Sequence, residues 1–584
     1  MDILLSAYEK QFDKFEENFE STYIKTESGK ISLQKYLKLC DVKPRNIYSA
    51  NNDFYDRYKK EAFIIYQSLL YIKEVYKISI KKIIQDIPEI ETYYKWIIDM
   101  FENQNINTLV LPYKNKFKEV LRTKLDNYFK TVDRREYGEY YTPEDLIKLS
   151  YEHIEKNIEN RVVDPACGSG FFLQVYIEEL IKNDSLFNSN QIEIIKQNIH
   201  GYDIFPFPII TTKLLLGTTL NEHFGVNKNI FRFDNIQVHN TVSSLKCINN
   251  KTSDILQENF DLIIGNPPYF RIQPDDKNEI CDCVSYGHNY IHNLFLHWGI
   301  QHLNSQGMLC LFLPQSILSG YYYQKMRKEI LNECNLDLII SDKNHEKSFL
   351  VQQDIMILYL TKTDNKDDSF QIGTPNEDLT DVYIYKLPLN ITDNSLKIIP
   401  VFKNVNQYIA LDRLSSHSIV DKLYEVKLKT GNFVWNQNKE SVLKDYQKGA
   451  IPLISGPNIT ETEISLGEHT KFSYCIPNSK KYLMHDSAIL YRRMSPIGNE
   501  QRMIARVIDK DKIPVYAIEN HVNSINCVNW SKKDLDELLE FITSKDFNIL
   551  INAFCHTNQI STNEMKIIFE TLINVKNSKK VLST

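Results

Sequence analysis

Three short clusters in this sequence combine residue types that can do chemistry at spacings that would bring them to one place. Asp164-Pro165-Ala166-Cys167-Gly168-Ser169-Gly170 follows the β-rich run Arg161-Val162-Val163 and precedes Phe171 to Ile181, whose apolar residues are spaced as on a helix. Glycines there let the backbone approach a ligand closely, and a helix N-terminus presents unpaired N–H groups. A carboxylate at the strand end can take a hydroxyl or an ammonium group, as in a nucleotide-type crevice at the carboxyl edge of an α/β sheet. The segment is neither G-x-G-x-x-G nor a P-loop, since no Gly-Lys-Ser/Thr follows. Asp203 ends the next strand candidate, His200-Gly201-Tyr202, 39 residues after Asp164. An acid one βα unit on can meet ribose hydroxyls, although an Asp ending a strand also reads as a helix N-cap. The third cluster, Asn266-Pro267-Pro268-Tyr269, follows the strand candidate Phe260 to Gly265. Two prolines remove two N–H donors, leaving the Pro267 carbonyl and the Asn266 amide as acceptors beside the ring of Tyr269. Such a group suits a planar substrate bearing an amino group, and a structural Asn-Pro-Pro turn is the plainer alternative.

These clusters must be held by strands and helices in alternation. Further strand candidates are Ile199 to Ile204, Met308 to Leu313, Leu336 to Ile340 and Ile355 to Leu360. Strands separated by helix-length segments predict an α/β fold with a doubly wound, Rossmann-like sheet. Residues 1–130 read as a helical N-terminal region: the apolar residues from Tyr58 to Tyr76 recur at mixed three- and four-residue spacing, and Pro44, Pro88 and Pro112 cut the region into helix-sized pieces. No catalytic constellation is legible there, and the region is expected to pack or to clasp a partner. Thr363 to Asp381 is polar and turn-rich and reads as a boundary or a long sheet-edge loop; beyond residue 390 the pattern is α+β. The expected domains are therefore 1–130, 131–390 and 391–584.

Composition sets outer limits. A chain of 584 residues exceeds one core, and 42% hydrophobic with 25% charged residues excludes wholesale disorder. No apolar run approaches the roughly 18 residues of a membrane span, and the start Met1-Asp2-Ile3-Leu4 lacks the basic region of a signal peptide. Ten cysteines scattered from Cys40 to Cys555 read as reduced thiols, so a cytoplasmic protein with no membrane partner is expected. Cys281 and Cys283 form a lone C-x-C, and the histidines form no H-E-x-x-H, so no metal is expected. The net charge of −6 is uneven: residues 1–139 carry 24 Lys+Arg against 22 Asp+Glu, residues 140–400 carry 21 against 33, and residues 401–584 carry 24 against 20. The flanks are mildly basic and the middle is acidic, a difference that sampling alone could also give.

Taken in order, the Asp164–Gly170 and Asn266–Tyr269 motifs resemble those of S-adenosylmethionine-dependent DNA adenine-N6 methyltransferases of restriction–modification systems. Gly138-Glu139-Tyr140-Tyr141-Thr142-Pro143 lies upstream, like the Y-T-P element of the γ class, whose catalytic domain is followed by a target-recognition domain. The resemblance covers residues 131 to about 362 well, the C-terminal part weakly and the first 130 hardly at all. It implies a methyltransferase sheet at 131–390 and a DNA target-recognition domain at 391–584. S-adenosyl-L-methionine would be the cofactor, with Asp164, Gly168 and Gly170 at its methionine end, Tyr141, Thr142 and Pro143 closing over that end, Asp203 on the ribose, and Asp234 near the adenine. Asn266, Pro267 and Tyr269 would be catalytic, with Tyr269 stacking on a base flipped out of double-stranded DNA. Cys167 would be no nucleophile. Arg492 and Arg493 would contact DNA, or else form a solvated, salt-bridged face. A separate restriction endonuclease would be the partner, since no D…E-x-K constellation is legible in this chain, and a prokaryotic, nucleoid-associated location follows. The same Asn-Pro-Pro-Tyr also occurs in methyltransferases of RNA and of protein glutamine. A DNA-specificity module with vestigial catalysis is the alternative of another class.

Overall fold

Residues of the central strands alternate between two separate cores, and this alternation defines the architecture. The computed structural model describes residues 53–103, a few positions between 117 and 125, 142–183, 189–225, 229–248, 251–254, 258–272, 284–286, 289–341, 355–375, 382–392 and, with short breaks, 395–582. Nine strands form one sheet: β1 (Val162–Asp164), β2 (Ile199–Asp203), β3 (Ile236–Val238), β4 (Phe260–Gly265), β5 (Leu303–Pro314), β6 (Cys334–Ser341), β7 (Ile355–Lys362), β8 (Ser369–Pro375) and β9 (Val382–Pro388). Their order is β9-β8-β6-β7-β5-β4-β1-β2-β3. β1 pairs in parallel with β2 and β4, β2 with β3, β4 with β5, and β6 with β8. β7 runs antiparallel between β5 and β6, and β9 antiparallel beside β8.

Successive strand residues face opposite ways. Val162, Leu262, Ile264, Cys310 and Phe312 enter one core, and Val163, Ile263, Leu309 and Leu311 the other. The first face is covered by α1 (Asp53–Tyr76), α2 (Ile80–Asp86), α3 (Pro88–Asn103), α4 (Glu144–Tyr151), α5 (Phe171–Asn183), α6 (Ser189–Asn198) and α7 (Pro206–Phe224). The second is covered by α8 (Ile291–His302) and α9 (Gln324–Glu333). Helices on both faces force the strands to be apolar on both sides, which is why they read as near-continuous hydrophobic runs.

The N-terminal helices pack on the outer side of this layer. α7 is buried from Pro206 to Leu220 because it lies between the sheet and α1 and α3. Its Lys213 ammonium, nearly inaccessible, meets Glu89 of α3 at 2.8 Å.

The C-terminal part is mixed α and β. α10 (Val405–Ser415) leads to an antiparallel sheet in which β10 (Val426–Thr430), β14 (Ala488–Arg492), β15 (Ala505–Ile508) and β17 (Val522–Cys527) lie in the order β10-β17-β14-β15. A smaller sheet is made by β11 (Val442–Leu443), β12 (Ile451–Ile454), β13 (Tyr474–Cys475) and β16 (Ala517–Ile518). Leu411, Ile489, Phe541 and Phe554 share a core with α8 and the second face of the nine-stranded sheet.

Thr363 to Asp381 is not a boundary loop, because it contains β8, whose Phe370 and Ile372 are buried and whose Gln371, Ile372 and Gly373 pair with β6. The turn residues Asp364 to Asp368 mask a short strand behind them.

The Lys213–Glu89 pair tests how firmly the N-terminal helices belong to this fold. Glu89→Ala leaves a buried ammonium without its carboxylate, a loss on the order of 3 kcal/mol that should lower the thermal midpoint. Combining Glu89→Leu with Lys213→Met should recover most of it. An unchanged midpoint for Glu89→Ala would contradict this packing.

Candidate active site

The loop after β1 is tied down on three sides. Cys167 N–H donates to the Tyr202 carbonyl of β2 at 2.8 Å, Gly170 N–H to the Cys167 carbonyl at 2.9 Å, and Thr212 Oγ1 of α7 to the Gly168 carbonyl at 2.9 Å. Gly168 and Gly170 have φ of +50° and +83°. At Gly170 a Cβ would also lie 2.6 Å from Thr212 Cγ2, so the turn that starts α5 tolerates no side chain there. Cys167 lies within this turn, and burial, with Asp203 and Asp164 nearby, pushes its thiol well above the usual range, so it stays protonated.

Two carboxylates flank the loop. Asp203 Oδ2 accepts the Gly168 N–H at 3.2 Å and Oδ1 the Phe205 N–H at 3.0 Å, so this side chain links the loop to the start of α7. Asp164 is 1% exposed and accepts the Ala166 N–H at 3.1 Å. Desolvation pushes its carboxyl up to about 8; the Asp203 charge adds to the rise and the Ala166 N–H opposes it. On the neighbouring strand Gly265 has φ +155°, and a Cβ there would stand 2.5 Å from Asp164 Oδ1. β4 can pass the acid only because residue 265 is glycine.

The Asn266 segment leaves β4 beside this acid. Asn266 Nδ2 donates to Thr142 Oγ1 at 2.9 Å, across 124 residues of sequence. The Tyr269 hydroxyl lies close to Asn266 Oδ1 and 3.0 Å from the Phe312 carbonyl of β5, so one hydrogen faces two acceptors. Thr142, Asp164, Gly168, Asp203 and Asn266 line a single cavity of about 280 Å³ at the carboxyl ends of β1, β2 and β4. There the chain order reverses across the sheet, with β2 and β3 to one side of β1 and β4 and β5 to the other, so the loops diverge and leave a crevice.

Residues 114–404 match the model of a family described as N-6 DNA Methylase. Over these residues the chain belongs to the N-6 DNA methylase family. Its curated relatives include the type I restriction enzyme EcoEI methylase subunit of Escherichia coli, 26% identical over 208 residues, 35% of this chain and 38% of that one. The type II methyltransferase M.PstI of Providencia stuartii is 22% identical over 366 residues, 56% of this chain and 72% of that one. The chain thus spans well under half of the first relative. Among solved structures, the ATP-dependent type ISP restriction–modification enzyme LlaBIII bound to DNA aligns with 97% of this chain and 48% of its own at 10% identity, with a TM-score of 0.48.

Not every expected residue of this N-6 DNA methylase chain reaches the cavity. Asp234 does not: it precedes β3, at the amino end of the strand, and pairs at 3.0 Å with Arg232 in an exposed ion pair. The residues past the carboxyl end of β3, His239 and Asn240, line the cavity instead. β3 is only three residues long and carries no strand signal in the sequence, and the acid nearest to it, Asp234, lies on its amino side. Pro143 caps α4 through its carbonyl, Pro267 is buried, and neither lines the cavity, nor do Arg492 and Arg493. Arg492 Nε donates to the Ile459 carbonyl at 2.8 Å, and Arg493 reaches the Asn520 carbonyl at 3.4 Å. The Tyr269 ring, expected to offer a free face, is 9% exposed and packs edge-on to His292 at 5.9 Å; Phe270, 36% exposed, lines the cavity in its place. Arg57 of α1 also lines the cavity, in a region where no site was legible. Tyr141, Cys281 and Cys283 lie outside the described residues. Among those described, no group of His, Cys, Asp and Glu could hold a metal ion, and no helix is long and apolar enough to cross a membrane.

Asp164 gives a pH signature. Its folded pKa lies above that of an unfolded aspartate, so the fold binds the extra proton between about pH 4 and 8. That contribution to stability is fully present below about pH 4 and is lost as pH rises toward 8. The thermal midpoint should therefore decline across this window in the ligand-free protein, and Asp164→Asn should flatten the decline. Parallel profiles for the two proteins would refute the assignment.

Proposed function

We propose that this chain transfers a methyl group from S-adenosyl-L-methionine to N6 of an adenine flipped out of double-stranded DNA, as the modification enzyme of a restriction–modification system. The observation that carries the proposal is the Asn266–Thr142 hydrogen bond at the wall of the cavity that Asp164, Gly168 and Asp203 also line. It joins a candidate substrate amide to a candidate cofactor loop.

The residues present fit the cofactor. Asp164 and Asp203 can accept from hydroxyl or ammonium groups, and no atom stands within 4 Å of the position a Cβ would take on Gly168. Phe171, Phe205 and Phe270 give the cavity apolar walls. S-Adenosyl-L-methionine, when bound, supplies an electrophilic methyl group.

An exocyclic adenine amine is a weak nucleophile because its lone pair is delocalised into the ring. Asn266 Oδ1 and the Pro267 carbonyl accept its two N–H bonds, which lets the nitrogen move toward sp³ and attack in line. This is positioning and preorganised hydrogen bonding, with no covalent enzyme intermediate. Tyr269 orients the amide: when its hydroxyl turns to the Phe312 carbonyl, Asn266 Oδ1 is released to the substrate. Phe270 offers a ring for the flipped base to stack on. Once methylated, the nitrogen is acidic and its proton leaves to water.

Residues 391–584 act in this proposal as the target-recognition domain, with Arg492 and Arg493 near the duplex and affinity falling with salt. Cleavage of unmodified DNA is left to a separate endonuclease.

Expression in a methylation-deficient host followed by sequencing of modified bases tests the proposal. N6-methyladenine at one recurring sequence is expected, and Asn266→Ala should abolish it while cofactor binding survives. An unmodified genome alongside cofactor-bound protein, or near-normal methylation by Asn266→Ala, would reject it.

A further inference from the structure

Arg57 stands on α1, more than a hundred residues before the glycine loop, yet it lines the same cavity while only 3% exposed. Its guanidinium carbon lies 4.4 Å from the centroid of the ring of Phe205, whose backbone N–H donates to Asp203 Oδ1. Its Nε donates to Glu61 Oε1 at 2.8 Å. Glu61 is fully buried, and its other oxygen accepts the Tyr94 hydroxyl of α3 at 2.9 Å. One edge and one face of the guanidinium are thus fixed, which makes it a preorganised planar donor.

Desolvating this cation is costly; the buried Glu61 carboxylate offsets much of the cost and the Phe205 ring a further part. Among the described residues lining the cavity, Arg57 is the one lysine or arginine, set against the Asp203 carboxylate and the carboxyl group of Asp164. A ligand offering only hydroxyls and cations would engage the acids and make no use of the cation in the wall. An amino-acid tail offers an ammonium and a carboxylate together, one for each sign of charge in the wall.

Resting on the reading of this cavity as the cofactor crevice, we infer that Arg57 binds the α-carboxylate of the methionine moiety of S-adenosyl-L-methionine. The N-terminal helices then complete the cofactor site, and α1 and α3 position the arginine through Glu61 and Tyr94.

Calorimetric titration of the full chain with two ligands tests this: S-adenosyl-L-homocysteine, which carries the amino-acid tail, and 5′-methylthioadenosine, which lacks it. Arg57→Gln should weaken the first at least tenfold and leave the second within twofold, and its unchanged binding of the second also reports an intact crevice. Arg57→Lys, which keeps the charge and loses the fork, should fall between wild type and Arg57→Gln for the first ligand alone. Equal losses for both ligands, or no loss for either, would overturn the inference and reduce Arg57 to a prop for Phe205. A wild-type protein that binds neither ligand would overturn the cofactor reading itself, and the inference with it.

Discussion

The candidate site depends on how closely β4 can pass β1 at their carboxyl ends. The two strands are neighbours in the sheet, and the side chain that ends β1 is Asp164. Gly265 gives that side chain room, since any Cβ would stand 2.5 Å from its carboxylate. The approach buries Asp164, raises its pKa and starts Asn266 beside it. A chain that kept the sheet but widened this gap would hold the same residues without bringing cofactor loop and substrate amide to one wall.

Neighbouring elements reinforce that approach. Thr142 bonds the Asn266 amide from the start of α4, while Tyr269 bonds it from within the same segment and reaches back to β5. Thr212 of α7 holds the Gly168 carbonyl, and α7 in turn is pinned to α3 by the Lys213–Glu89 pair. A buried contact in the N-terminal helices is therefore two hydrogen-bonded steps from the glycine loop. The proposed chemistry needs little else from the protein: no metal, no nucleophile, and acceptors held where the amine must rehybridise.

Much of this was legible because the informative signals are local. Strand candidates ending at Asp164, Asp203 and Gly265 coincide with β1, β2 and β4, since those strands are almost wholly buried. What failed had no local signal. β3 is three residues long, and so short a strand leaves no periodic signal from which to place Asp234. β8 hid behind an acidic turn. Arg57 reads in sequence as a charged residue on a helix and becomes a wall residue only because α1 docks on α7. Tyr269 and Phe270 are adjacent, and only packing decides that the first is drawn inward by two oxygen acceptors while the second faces the cavity.

The central claim is that a glycine at 265 lets the cofactor and substrate segments share one wall. Titration of purified Gly265→Ala with S-adenosyl-L-homocysteine, alongside a thermal melt, tests it most directly. A folded variant whose affinity falls at least tenfold is the result expected, because the new Cβ displaces the Asp164 carboxylate. A folded variant that binds as tightly as wild type would contradict the account.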